Sequence, residues 1–211
     1  MKPRSLPLAL LLLFLSLAAQ AASEAERRLD HFFRSIQSVQ ADFVQEVHDE
    51  KGRLLRKARG RFELLRPGRF RWDYTEPSPQ QIVSDGQYLW IYDQELAQVT
   101  VKKLGKALGA SPLLLLSEPR SVRDDFIITD TREHDGVAWM ELIPKLKDTD
   151  FTRIEVGLTN EGVKEMHLTD QFGQNTVIRF EHLRINQPID AGDFLFTPPP
   201  EADVLGLDAE R

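Results

Sequence analysis

From Ala41 onward the chain is written in period two, and that change of rhythm decides most of what it can fold into. In the stretch ADFVQEV, Ala41, Phe43, Gln45 and Val47 fall on one side, with Asp42, Val44 and Glu46 on the other. Such alternation marks a strand with two unlike faces. HDEKGR then turns the chain, and a second strand is expected from Leu54 to Leu65, with Gly60, Phe62 and Leu64 in phase. RPGR makes the next turn and leads into FRWDY, where Phe70, Trp72 and Tyr74 alternate with Arg69, Arg71 and Asp73. Alternating runs joined by short turns read as successive antiparallel strands.

The pattern persists to the end of the chain. QQIVSDGQYLWIYDQELAQVTVKKL holds three strands, the first two joined across Asp85-Gly86, a strong hairpin signal. FIITDTREHDGVAWMELIPK adds two around Asp135-Gly136, and the segment from Phe151 to Ile185 adds three. In IDAGDFLFTPPPEADVLG one short hydrophobic segment is stopped by Pro198 to Pro200, which cannot donate to a ladder and so mark an edge or an exit. The strands number about ten or eleven. Tyr88 to Tyr92 is apolar or aromatic on both faces, so a helix or a ligand is expected to cover the second one.

Two segments break the period. SEAERRLDHFFRSIQSVQ, from Ser23 to Gln40, has Leu29, Phe32, Phe33, Ile36 and Val39 at helical spacing and a Ser23…Glu26 capping box at its start. A helix of this kind covers an edge or face of a sheet. The stretch Leu104 to Glu118 is punctuated by Gly105, Gly109 and Pro112 and contains the apolar run Leu113 to Leu116. Two short helices fit there, folded over an opening of the sheet. The economical architecture is a strongly curved antiparallel sheet around helices, or a partly closed barrel.

The first residues point to export. Lys2 and Arg4 precede an apolar stretch from Leu6 to Leu17, and Ala19-Gln20-Ala21 places small residues where a signal peptidase needs them. Residues 1–21 are expected to be a signal peptide, and 22–211 one domain. There is no cysteine, so neither a disulfide nor a cysteine-linked lipid anchor is available. Loss of Lys2 and Arg4 makes the mature chain two charges more negative than the −6 of the whole, which argues against nucleic acid as a partner. No later run approaches the roughly 20 apolar residues that span a bilayer.

Catalytic handles are missing. Neither GxGxxG nor GxxxxGK[ST] nor HExxH nor G-x-S-x-G occurs, and the five histidines are scattered singly without ligand spacing. No cofactor or metal is expected. What remains is hydrophobic: twelve phenylalanines, the Leu113 to Leu116 run and the doubly apolar strand around Trp90. These make an ordinary core, or a concave face able to hold long apolar ligands under a helical cover. Arg66, Arg69 and Arg71 crowd the Pro-Gly turn, where they could bind a partner, hold a closure, or keep one strand face wet; alternation with Phe70, Trp72 and Tyr74 favours a solvated face for Arg69 and Arg71.

The motifs together carry a likeness. ADFVQEV, RPGRFRWDY, IVSDGQYLWIYD, the leucine-rich ASPLLLL, LIPK and the terminal FLFTPPPEADV run through the whole chain, and in combination they resemble the LolA family of periplasmic outer-membrane lipoprotein carriers. The resemblance implies an unclosed antiparallel β-barrel of about 11 strands covered by a helical lid, with no enzymatic activity. It implies acylated lipoproteins as cargo, an inner-membrane ATP-driven transporter as donor and an outer-membrane receptor of similar fold as acceptor; a carrier with an open face is expected to be a monomer. Arg66, directly before the proline of the turn, is the residue that the resemblance marks as closing the lid, here Leu104 to Ser117. Acyl-chain contacts are expected from Phe43, Phe62, Leu64, Trp72, Trp90 and Leu113, Leu114, Leu115 and Leu116. The anchored receptor is a rival reading, but it would need a cysteine to acylate. A carrier or sensor of another lipid or glycolipid on the same half-barrel is the alternative.

Overall fold

The computed structural model describes residues 22–104, 122–146 and 149–206. The chain begins with helix α1 (Glu24–Ser35), entered through the expected box: Ser23 Oγ accepts from Glu26 N, and the Glu26 carboxylate accepts from Ser23 N. That bond, more than any other contact, holds the Glu26 carboxyl below its ordinary pKa. The helix ends earlier than its apolar stripe suggested. Ile36 caps it in an extended conformation, and Val39 lies in strand β1 (Ser38–His48), opposite Leu64 and Ile185. Both side chains are β-branched, and the Asn186 side chain accepts from Gln37 N at 2.8 Å, which pulls the chain onto the sheet.

The strands that follow are β2 (Leu54–Leu65), β3 (Arg69–Glu76), β4 (Gln80–Asp85), β5 (Tyr88–Asp93) and β6 (Gln98–Lys103). After a short helix α2 (Val122–Asp125) come β7 (Phe126–His134), β8 (Val137–Pro144), β9 (Phe151–Thr159), β10 (Gly162–Asp170) and β11 (Asn175–Ile185). A 3-10 turn at Ala191–Phe194 precedes β12 (Asp203–Gly206). The order in the sheet is β12-β6-β5-β4-β3-β2-β1-β11-β10-β9-β8-β7. Pairing is antiparallel throughout except between β12 and β6. Twelve strands stand where ten or eleven were expected. The extra one is β12, which the chain reaches after the three prolines and adds in parallel at the sheet edge. The two ends of the order, β12 and β7, do not pair, so the barrel is unclosed.

One face of the sheet gathers the core. Met140, Val156, Met166 and Ile178 stand in one cross-strand row and cluster with Ala25, Leu29 and Phe32 of α1. Arg28 ties the helix down by donating to the carbonyls of Gly136 at 2.7 Å and Leu158 at 3.1 Å. The expected lid lies almost wholly outside the described residues. Only Leu104 is seen, buried in the same core.

Candidate functional site

Register places the aromatic candidates together. Phe62 stands opposite both Ala41 and Trp72, while Phe43 stands opposite Gly60, so one face of β1, β2 and β3 carries Phe43, Phe62 and Trp72. Their rings meet: Phe43 lies 5.0 Å from Trp72, and Phe62 lies 4.9 Å from Trp72 and 5.5 Å from Phe180. Such pairs contribute beyond the area they bury. Tyr74 adjoins Phe43 at 5.1 Å and donates its hydroxyl to Gln45 Oε1 at 2.9 Å. Burial pushes its phenol up to about 12, so it stays neutral at physiological pH. The Trp72 indole N–H is buried with no acceptor among the described residues. Leu64, fully buried between Val39 and Phe70, completes the row.

Trp90 does not join them. It pairs with Val83, which pairs with Arg71, and so it points to the other face. That face has its own small core of Val83, Val99 and Val101, all buried. Among the described residues its cover is the C-terminal segment. Phe196, from the C-terminal segment, lies 5.7 Å from Trp90 and 5.9 Å from Tyr92, and the Ala191–Phe194 turn packs on β3 and β4. Arg71 holds that segment by donating to the Asp193 carbonyl at 3.1 Å while pairing with Asp73. It is therefore half-buried and engaged, where a solvated strand face was the simplest expectation. Leu113 to Leu116 lie outside the described residues.

Arg66 stands apart from its neighbours. Its backbone N–H donates to Gln37 O and its Nε donates to Ile36 O, each at 2.9 Å. The guanidinium carbon sits 4.8 Å from the ring centre of Phe32 and 5.0 Å from that of Phe33. The residue is only 8 % exposed, and neither Nη1 nor Nη2 finds an acceptor among the described residues. Burial lowers its pKa to about 10, which still leaves it cationic at neutral pH. Two aromatic faces stabilise the charge by roughly 1–2 kcal/mol each. They do not replace hydrogen bonds to four N–H groups, and a buried charge without them costs several kcal/mol. The roles of Phe32 and Phe33 were missed in the sequence because both served the helical stripe. Phe180 was passed over as one more residue of an alternating strand.

Residues 34–197 match the family model described as outer membrane lipoprotein carrier protein LolA. The chain belongs to the LolA family. It is 44 % identical, over 89 % of its length and 90 % of the relative's, to the outer-membrane lipoprotein carrier protein of Methylococcus capsulatus. The protein of the same name from Dechloromonas aromatica is 38 % identical over 92 % of this chain and 93 % of its own. Among solved structures, an uncharacterized conserved protein from Thermus thermophilus superposes with a TM-score of 0.54 at 14 % identity, over 88 % of this chain and 99 % of that one, a likeness of fold alone. The unclosed sheet with α1 packed against it is thus the LolA fold. Among the described residues no helix is long and apolar enough to cross a membrane, and no group of three or more side chains has the makings of a metal site.

Proposed function

We propose that this LolA protein is exported by cleavage after Ala21 and works in the periplasm as a monomeric carrier of acylated lipoproteins. It takes cargo from an ATP-driven transporter in the inner membrane and yields it to a receptor at the outer membrane. The carrier hydrolyses nothing. The observation that supports this most is the pairing of an aromatic inner face with a buried arginine whose donors are unsatisfied among the described residues.

The thermodynamics demand such a device. Three acyl chains hold on the order of 45 methylenes, and at roughly 0.8 kcal/mol each their exposure to water costs tens of kcal/mol. Noncovalent affinities saturate near roughly 20 kcal/mol, and a carrier that approached that limit would never let go. Phe43, Phe62 and Trp72 are 1–3 % exposed, so cargo reaches them only by displacing what now covers them. Each methylene then replaces a protein contact rather than filling a void, which keeps the net affinity moderate. Arg66 sets the balance between the two states: its Nη donors, unpartnered among the described residues, bind acceptors of the cover when no cargo is present and release them on loading.

The test is release from a membrane. Inner-membrane vesicles bearing the transporter and a labelled lipoprotein are given ATP with and without the mature protein. The label should leave the vesicles only with the protein present and co-elute with it at one copy each. Label that stays with the vesicles in the presence of folded protein contradicts the carrier reading.

A further inference from the structure

Three buried polar or charged residues are found among the described ones, Ser38, Arg66 and Ser84, and each lies in the β2–β3 turn or pairs with a residue flanking it. Ser38 pairs with Leu65, the residue before Arg66. Ser84 pairs with Phe70 on the far side of the turn, is fully buried, and donates its hydroxyl to Gly68 O at 2.9 Å. Ser84 Oγ in turn accepts from Gly86 N at 3.3 Å. Gly68 and Gly86 both have positive φ, and a Cβ on Gly68 would lie 3.3 Å from Gly86 Cα, so the β2–β3 and β4–β5 turns abut. Asp85 shapes the second turn by accepting from the backbone N–H of Gln87 and of Tyr88, both at 2.7 Å.

We infer that Ser84 is a positioning residue for Arg66, fixing through Gly68 the turn from which the guanidinium reaches Ile36 and the two phenylalanine rings. The inference rests on the Arg66 role proposed above and gives the Ser-Asp-Gly motif a task beyond making a hairpin. A hairpin at this place needs Asp85 and Gly86. It does not need a buried hydroxyl two strands away from the arginine. The hydroxyl links the second turn to the first, so Arg66 is held from both sides: by Gln37 and Ile36 on one, by Ser84 through Gly68 on the other.

Hydrogen exchange at the Arg66 Nε–H, read by nitrogen-15 NMR, tests this directly. In the wild type that proton is protected by its bond to Ile36 O. In Ser84→Ala its exchange should rise roughly five- to tenfold, the factor that one ordinary hydrogen bond represents. The amides of Met166 and Ile178 in the middle of the sheet should keep their rates and so report an intact fold. Ser84→Cys, close in size with a weaker donor, is measured if the alanine variant does not fold. Unchanged Arg66 exchange in a folded variant overturns the inference.

Delivery of cargo to the receptor separates this inference from the reading beneath it. Ser84→Ala should slow delivery in the wild-type background and add nothing in Arg66→Leu. Equal slowing in both backgrounds would mean that Ser84 acts elsewhere, which also overturns the inference. If Arg66→Leu itself delivers like wild type, the latch reading fails, and the exchange result still decides whether Ser84 positions the arginine.

Discussion

Arg66→Leu should leave the protein folded and loaded with cargo but slow its delivery to the receptor at least tenfold. The stability half follows from what the arginine does among the described residues. It makes one side-chain hydrogen bond, to Ile36 O, and two ring contacts, and it buries a charge whose Nη atoms lack acceptors there. Losing the bond costs about 1.5–3 kcal/mol, and removing the buried charge returns a comparable amount or more. The net change should stay within about 2 kcal/mol, and leucine keeps an apolar contact with Phe32 and Phe33. The delivery half follows from the donors. Hydrogen bonds to a charged group are worth about 1.5–3 kcal/mol each, and 1.4 kcal/mol is a factor of ten in the balance between two states. Arg66→Lys should behave more like leucine than like arginine, because a point charge cannot bridge several carbonyls as a planar fork does. Thermal unfolding and a receptor-transfer assay read the two halves separately. Wild-type delivery by Arg66→Leu would remove the residue from the mechanism.

Gly60→Ala should be the most destructive single methyl in the described chain. Gly60 sits in the middle of β2 between Phe43 of β1 and Tyr74 of β3. A Cβ there would lie 1.9 Å from Asp73 O, 2.8 Å from Asp73 C and 2.9 Å from Phe43 Cε1. Two of these are backbone atoms and cannot swing aside, so β2 and β3 must part at the register shift between Arg59 and Gly60. The missing side chain also makes the space that the Phe43 ring fills, so the aromatic cluster would be disturbed with it. A loss of about 3–5 kcal/mol is expected, which lowers the melting temperature by roughly 10 °C in a domain of this size. Gly136→Ala is the contrast: its added Cβ would touch nothing within 4 Å, so only the strain of φ +74 remains, about 1–2 kcal/mol. Denaturant midpoints of the two variants that fell together would contradict this account.

The local features were legible because each is written over a few residues. The limits of β2, the Asp-Gly hairpin between β4 and β5, and the Ser23…Glu26 box follow from alternation, turn chemistry and capping. Ile36 and Val39 misled because apolar residues three apart suit a helix, while their branching and the Asn186 side chain settle the matter in favour of the sheet. β12 gave no signal: its four residues are all exposed, and its parallel pairing depends on a strand far back in the chain. Period two divides Trp72 from Trp90 but does not say which face is inner. That was fixed only when Phe196 came back over Trp90 and α1 over the opposite side. Nothing local separates Arg66 from Arg69 and Arg71 either. Its burial arises from Phe32, Phe33 and Ile36, thirty or more residues earlier, and the family resemblance alone singled it out in the sequence.

The two tryptophans give the most direct test of where cargo goes. The chain has three, at positions 72, 90 and 139, so each can be left as the sole indole by changing the others to phenylalanine. The protein is loaded with a lipoprotein whose acyl chains carry bromine, a quencher that acts only on contact. Fluorescence of Trp72 alone should be strongly quenched, and that of Trp90 alone, under Phe196 on the far face, should not change. Quenching of Trp90 without Trp72, or of neither in a complex that demonstrably holds its cargo, would contradict the claim that the aromatic inner face beside Arg66 carries the acyl chains.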